Sequence, residues 1–223
     1  MAVLKIGFVT IGQSPRTDII PELTQDLSAN LESIEAGALD GLMRDDVARL
    51  APKKGDYTLV TRMRDGTDVT IARKRIVPLV QKRLDEMAQD GVAAVALLCT
   101  GEFAVLKSKI PLLEPDRLLD GVVPGIMKKG LLGVMVPSSN QLLQAKKRWS
   151  KLGLRPHVEA ASPYQDLSEI ENAAARLAQV NPSLIVMDCM GYSRKMKEIV
   201  RERTQKPIVL ARSILAKIIA ELV

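Results

Sequence analysis

The chain has 223 residues, of which 47% are hydrophobic, 26% charged and only 3% aromatic, and a formal net charge of +6. The apolar fraction excludes a disordered chain, and no apolar run approaches the roughly 20 residues of a membrane-spanning helix. The basic excess raises nucleic acid as a partner, but the base-stacking aromatics are nearly absent and no helix-turn-helix, zinc-finger or RNP pattern occurs, so a small anion is the expected user of the positive field.

In chain order, residues 1–9 form a continuous apolar run (LKIGFV), as expected of a strand buried on both faces. Its single Lys and the lack of a small-residue cleavage site argue against a secretory signal, so a cytoplasmic location is expected. The run ends at Thr10-Ile11-Gly12-Gln13-Ser14-Pro15-Arg16, where Pro15 suits a first helical turn with Ser14 as N-cap, predicting a helix over 18–27. A strand over 33–36 and a short helix over 44–50 follow. Residues 57–63 and 67–72 alternate around Arg64-Asp65-Gly66, a hairpin signal that predicts a type I′ turn at Asp-Gly. A long helix is predicted over 73–89, ended by Gly91, and then a strand over 92–98 that stops at Cys99-Thr100-Gly101.

Residues 114–130 lack a clear strand and carry Pro115, Pro124 and Gly130, which suits a crossing between two lobes. Strands over 131–136, 156–160, 183–188 and 207–211 then alternate with helices over 139–152, 166–179, 193–202 and 214–222. Alternating apolar strands and helices predict an α/β protein with mainly parallel sheets flanked by helices. The halves echo each other: AVALLCTG and SLIVMDCMG are both apolar strands that end in Cys-x-Gly. Two pseudo-symmetric lobes are therefore expected, at 1–115 plus 206–223 and at 116–205.

Cys99 and Cys189 cannot make a disulfide framework, and with the lone His157 they show no CxxC, HxxxH or HExxH spacing, so no metal site is expected. GxGxxG and GxxxxGK[ST] are absent around Gly12, and no cofactor is expected. What the cysteines share is position. In parallel α/β sheets, ligands sit beyond the carboxyl ends of the strands, where helix N-termini favour anions and thiolates. One thiolate could then remove a proton beside a carboxylate while the other thiol returns one from the opposite face, with backbone amides holding the enolate. Buried structural cysteines are the alternative. Arg16 either pairs with a substrate carboxylate or is solvated, and Tyr192 either donates to a ligand or packs half-buried. Arg62 and Arg64, on one strand face by period two, are a basic lid or a solvated face. Asp188 perturbs the adjacent thiol, orients a loop amide or caps the next helix, and His157 reads as a surface residue.

Taken together, TIGQSPRTD (10–18), RMRDGT (62–67), LLCTGEF (97–103) and MDCMGYSRKMK (187–197) resemble the AroM family, across essentially the whole chain. That family in turn resembles the aspartate/glutamate racemase superfamily. The resemblance implies two α/β lobes related by a pseudo-twofold axis, with a cysteine from each at a cleft, here Cys99 and Cys189. It also implies that Thr100, with Gly101 after it, binds a substrate carboxylate. Gly12, Gln13 and Ser14 would line the cleft from the first lobe, and Ser138 and Ser139 from the second, with Gly191 and Tyr192 following the second cysteine. The sequence departs from racemases in lacking an acidic Asp-Ser pair in the first loop and a Thr-His pair after Cys189. Racemases, isomerases and decarboxylases share that plan, so the fold does not choose the reaction. The function expected is cofactor-independent acid/base chemistry on a small carboxylate; a non-catalytic small-anion-binding protein is the alternative. A homo-oligomer is compatible with the apolar segment 214–223, which closes the first lobe or meets a partner.

Overall fold

The computed structural model describes residues 4–25, 27, 31–103 and 106–222. The chain divides into two units, Met1–Asp116 with Leu215–Val223, and Arg117–Ile214.

The first unit holds β1 (Leu4–Thr10), α1 (Ile20–Thr24), β2 (Leu31–Gly37), α2 (Arg44–Ala48), β3 (Thr58–Arg62), β4 (Asp68–Ala72), α3 (Arg73–Gln89), β5 (Ala94–Leu97) and β6 (Leu112–Leu113). Its main sheet is all parallel in the order β2-β1-β5-β6, with Val9 opposite Ala36 on one side and Leu97 on the other. The chain runs outward from β1 to β2 and then returns to β5 on the other flank. The carboxyl ends of β1 and β5 therefore border the point where the strand order reverses. Four buried residues of α3, Ile76, Val80, Leu84 and Met87, recur at helical spacing and pack into one core with Val9, Leu97 and Phe103. β3 and β4 form a separate antiparallel pair, with Thr58 opposite Ala72 and Arg62 opposite Asp68.

The second unit follows with most of α4 (Pro115–Ile126), then β7 (Leu131–Val136), a 3₁₀ turn (Ser139–Gln141), α5 (Leu142–Lys151), β8 (Arg155–Ala160), α6 (Leu167–Val180), β9 (Leu184–Met187), α7 (Arg194–Thr204), β10 (Ile208–Leu210) and α8 (Ala211–Leu222), whose last turns belong to the first unit. Its sheet is again all parallel, in the order β8-β7-β9-β10. In both sheets the second strand of the unit lies outermost, then the first, the third and the fourth. β1 thus corresponds to β7 and β5 to β9, and the β3–β4 hairpin is an insertion into the first copy. Asp166 and Ser193 cap α6 and α7 by accepting from the Ser168 and Met196 amides, and left-handed Asn181 and Gln205 end them. The second core gathers Met135, Ile170, Leu177, Ile185, Met187 and Val200.

Several sequence expectations need correction. Ser14 does not cap a helix: the Ser14–Pro15 peptide is cis, and α1 starts at Ile20 with Pro21 in its first turn. The hairpin turn is not type I′, which needs two left-handed residues, because Gly66 alone has positive φ, at 88°. Gly66 N donates to Met63 O and Met63 N to Thr67 O, the pattern of a three-residue turn closed by a glycine bulge. Residues 115–126 are helical despite Pro and Gly, since Pro115 opens the helix, where an amide is expendable, and Leu119 and Val123 are buried one turn apart. Within segment 206–223, β10 pairs with β9, and residues from Leu215 on fall in the first unit.

Candidate functional site

Each cysteine lies two residues beyond the last residue of its strand, Cys99 after β5 and Cys189 after β9. The local construction is the same in both units. The Gly101 amide donates to Cys99 Sγ at 3.4 Å, and the Gly191 amide donates to Cys189 Sγ at 3.3 Å. Each sulfur therefore has an amide dipole directed at it. Both residues are buried, 8% exposed, and belong to their unit's hydrophobic core, as the structural alternative expects. A Cβ at either of these glycines would force a neighbour to shift, standing 2.4 Å from the Leu59 side chain at Gly101 and 2.6 Å from the Pro163 ring at Gly191.

The first loop, beyond β1, is tied down by the protein itself. Gly12 N donates to Thr10 Oγ1 and Gln13 N to Arg62 O. Ser14 gives both its amide (2.9 Å) and its hydroxyl (2.5 Å) to the Asp40 carboxylate, which also accepts from Gly37 N and Arg64 Nη2. Arg64 Nε donates to Ser14 O at 2.7 Å, and Arg64 N donates to Gln13 Oε1. Gly12 must be glycine because a Cβ would lie 2.3 Å from Arg62 O. Arg16 is neither solvated nor directed outward: it is 3% exposed, grips Asp18 through two bonds of 2.8 Å, and reaches Thr10 Oγ1 through Nη1. Asp40, which organises this loop, was not singled out in the sequence. Its only signal there is its position just beyond β2, whose carboxyl end adjoins that of β1.

In the second unit, Ser138 and Ser139 follow β7 as Gly12–Ser14 follow β1. Ser138 Oγ accepts from Asn140 N at 3.3 Å, and Ser139 is exposed. Thr100 is half-buried between Cys99 and Gly101. Tyr192 is fully buried and its hydroxyl donates to Ala161 O at 2.7 Å, the packing alternative rather than the donor to a ligand. Burial, followed by the nearby charges of Cys189 and Asp188, pushes its phenol well above the usual 10.0.

Asp188 neither caps α7 nor stands open beside the thiol. Its carboxylate accepts from Arg148 Nη1 at 3.2 Å and from Trp149 Nε1 at 3.0 Å, and Arg148 continues to Asp120 at 2.7 Å. This buried chain anchors the end of β9 to α5. Arg212 is 2% exposed and donates to Met190 O at 3.1 and 2.8 Å and to Gly191 O at 3.1 Å. Neither Arg148 nor Arg212 was a sequence candidate, because Arg148 lies inside a helical pattern and Arg212 in the short junction between a predicted strand and helix, where a cation reads as solvent-facing. Elsewhere, Arg62 folds back onto Gly66 O, and His157 bonds Glu159, which also binds Arg176. Among the described residues, no three His, Cys, Asp or Glu gather as a metal would require, and no helix is long and apolar enough to cross a membrane.

Three solved structures display the same fold at low identity. Glutamate racemase from Francisella tularensis, solved with D-glutamate, aligns with a TM-score of 0.61 at 14% identity, over 100% of this chain and 81% of that one. The maleate isomerase Iso from Pseudomonas putida S16 gives 0.65 at 12% identity, over 98% and 92%. Aspartate racemase from Picrophilus torridus gives 0.61 at 10% identity, over 98% and 94%. The α/β plan of parallel sheets flanked by helices is thus that of the Asp/Glu racemase-like proteins. A search of curated proteins gives no match. The family model described as "AroM protein" matches residues 6–223, so that the repeated strand-loop construction around Cys99 and Cys189 lies wholly within it and the chain belongs to the AroM family.

Proposed function

We propose that this protein carries out cofactor-independent acid/base chemistry on a small carboxylate, with Cys99 and Cys189 as the acid/base pair. One thiolate takes the proton from the carbon beside the carboxylate, the electron pair moves into the enolate, and the other cysteine's S–H returns a proton to that carbon. Thr100 and the Ser138–Ser139 loop hold the carboxylate. The observation that supports this reading is the duplicated construction: in each unit, one sulfur beyond β5 or its counterpart β9 accepts from the amide two residues on, beside the reversal of strand order. The likeness to proteins named as racemases and an isomerase supports it by analogy of fold.

Proton NMR in D₂O tests the proposal, with small amino acids and dicarboxylates, including glutamate, aspartate and maleate, as the panel. Loss of a carbon-bound proton signal is expected for at least one compound, slowed about 100-fold or more by either Cys99→Ser or Cys189→Ser. A double Ser variant that exchanges at the full rate would sink the proposal. The alternative reading is a non-catalytic small-anion binder, in which the internally bonded amides of Gly12, Gln13 and Ser14 leave Thr100 and the Ser138–Ser139 loop as the anion contacts. That reading expects carboxylate-dependent thermal stabilisation which survives replacement of both cysteines.

A further inference from the structure

The loop after Cys189 is held by an arginine from α8, which donates to two of its peptide carbonyls. β10 lies beside β9 with Leu210 opposite Met187. Two residues further along each strand stand Arg212, in the first turn of α8, and Cys189, so the register brings the guanidinium level with the cysteine loop. Arg212 Nε and Nη2 both bond Met190 O, at 3.1 and 2.8 Å, and Nη2 also bonds Gly191 O at 3.1 Å. The carbonyl of Met190 and the amide of Gly191 are the two ends of a single peptide unit. In a trans peptide these point in opposite directions. A cation holding the oxygen therefore fixes the direction of the N–H, and that N–H meets Cys189 Sγ at 3.3 Å. The guanidinium also draws electron density toward the carbonyl and makes the amide a stronger donor, as in hydrogen-bonded chains generally. In the first unit Arg73, which opens α3 as Arg212 helps to open α8, bonds Glu102 O at 2.9 Å, two peptides beyond the one whose amide faces Cys99.

We propose that Arg212 is a positioning residue for Cys189, aiming and polarising the Gly191 amide through the Met190–Gly191 peptide so that the sulfur is held as a thiolate more readily than without it, against the neighbouring Asp188 carboxylate and the Tyr192 phenol. The inference rests on the reading of Cys189 as a reactive group.

The test is the rate of iodoacetamide alkylation at each cysteine, followed by mass spectrometry of the full chain from pH 5 to 10. Arg212→Met should raise the Cys189 midpoint by about one unit, a roughly tenfold slower reaction at pH 7, while the Cys99 profile stays in place as the internal control. Arg212→Lys, which keeps the cation and can still donate to the Met190 carbonyl, should recover most of the shift. Circular dichroism checks both variants for folding; if the Met variant unfolds, a small upward shift in the Lys variant carries the test. A Cys189 midpoint unmoved in folded variants would overturn the inference and leave the proposed chemistry intact. A Cys189 that alkylates only in denaturant would overturn both, because the thiol would then be inert in the native protein.

Discussion

Two residues of the first unit act against sequence intuition. Thr61 is 1% exposed on β3, and its hydroxyl has no hydrogen-bond partner. A buried hydroxyl without a partner costs about 1–3 kcal/mol relative to an apolar group of the same shape. Thr61→Val, which keeps the branched shape, should therefore leave stability unchanged or raise it by about 1 kcal/mol, read as the urea midpoint. Asp40 is the opposite case, since one carboxylate accepts from the Ser14 amide and hydroxyl, the Gly37 amide and Arg64. Asp40→Ala strands several donors at once and should cost about 2–3 kcal/mol. It should also expose the first loop to protease; a loop as resistant as before would contradict its assignment as the anchor.

At the scale of elements, β9 is held at its functional end by α5. The Asp120–Arg148–Asp188 chain buries an arginine, with side chains of Arg148 and Asp188 only 4% and 5% exposed. Removing one member of such a group leaves an uncompensated buried charge, which typically costs about 3–5 kcal/mol. Arg148→Met should lose that much in chemical denaturation. Pairing it with Asp188→Asn should recover part of the loss, because the stranded carboxylate is gone; two additive losses would refute the coupling. The hairpin is a second case of one element supporting another. Arg62 O and Arg64, at the end of β3 and in its turn, hold the backbone of the first loop, so this insertion into the first copy braces the segment that follows β1.

At the scale of the whole molecule, acid stability follows from carboxyls held below their ordinary values. Lys74 does this for Asp56, the Thr67 amide for Asp65, and Ser168 for Asp166. A lowered folded value stabilises the native state above the unfolded value near 3.8, and that contribution disappears as pH falls through the lower folded value. Glu159 adds to it: burial pushes its carboxyl up, but the bonds from Arg176 and His157 outweigh burial and keep it below 4.5. Thermal midpoints should thus change little from these groups between pH 5 and 7 and fall below about 4. Asp56→Asn should flatten that decline; an unchanged acid limb would count against the assignment.

Length scale decided what was legible beforehand. The alternation of apolar strands with amphipathic helices, the hairpin and the twin Cys-x-Gly strand ends are local patterns, imposed by a short period of side-chain burial, and so the α/β class and both cysteine positions could be read in the chain. Strand β6 and helix α4 were missed because two residues carry no periodicity and Pro115 and Pro124 mask a helix whose Leu119–Val123 stripe is short. The sequence by itself determined which segments become strands and where the sulfurs sit along them. Only the tertiary structure decided that Asp40, Arg148 and Arg212 turn inward to hold those loops, because a charged side chain is solvated or buried according to the polar partners that distant segments bring to it.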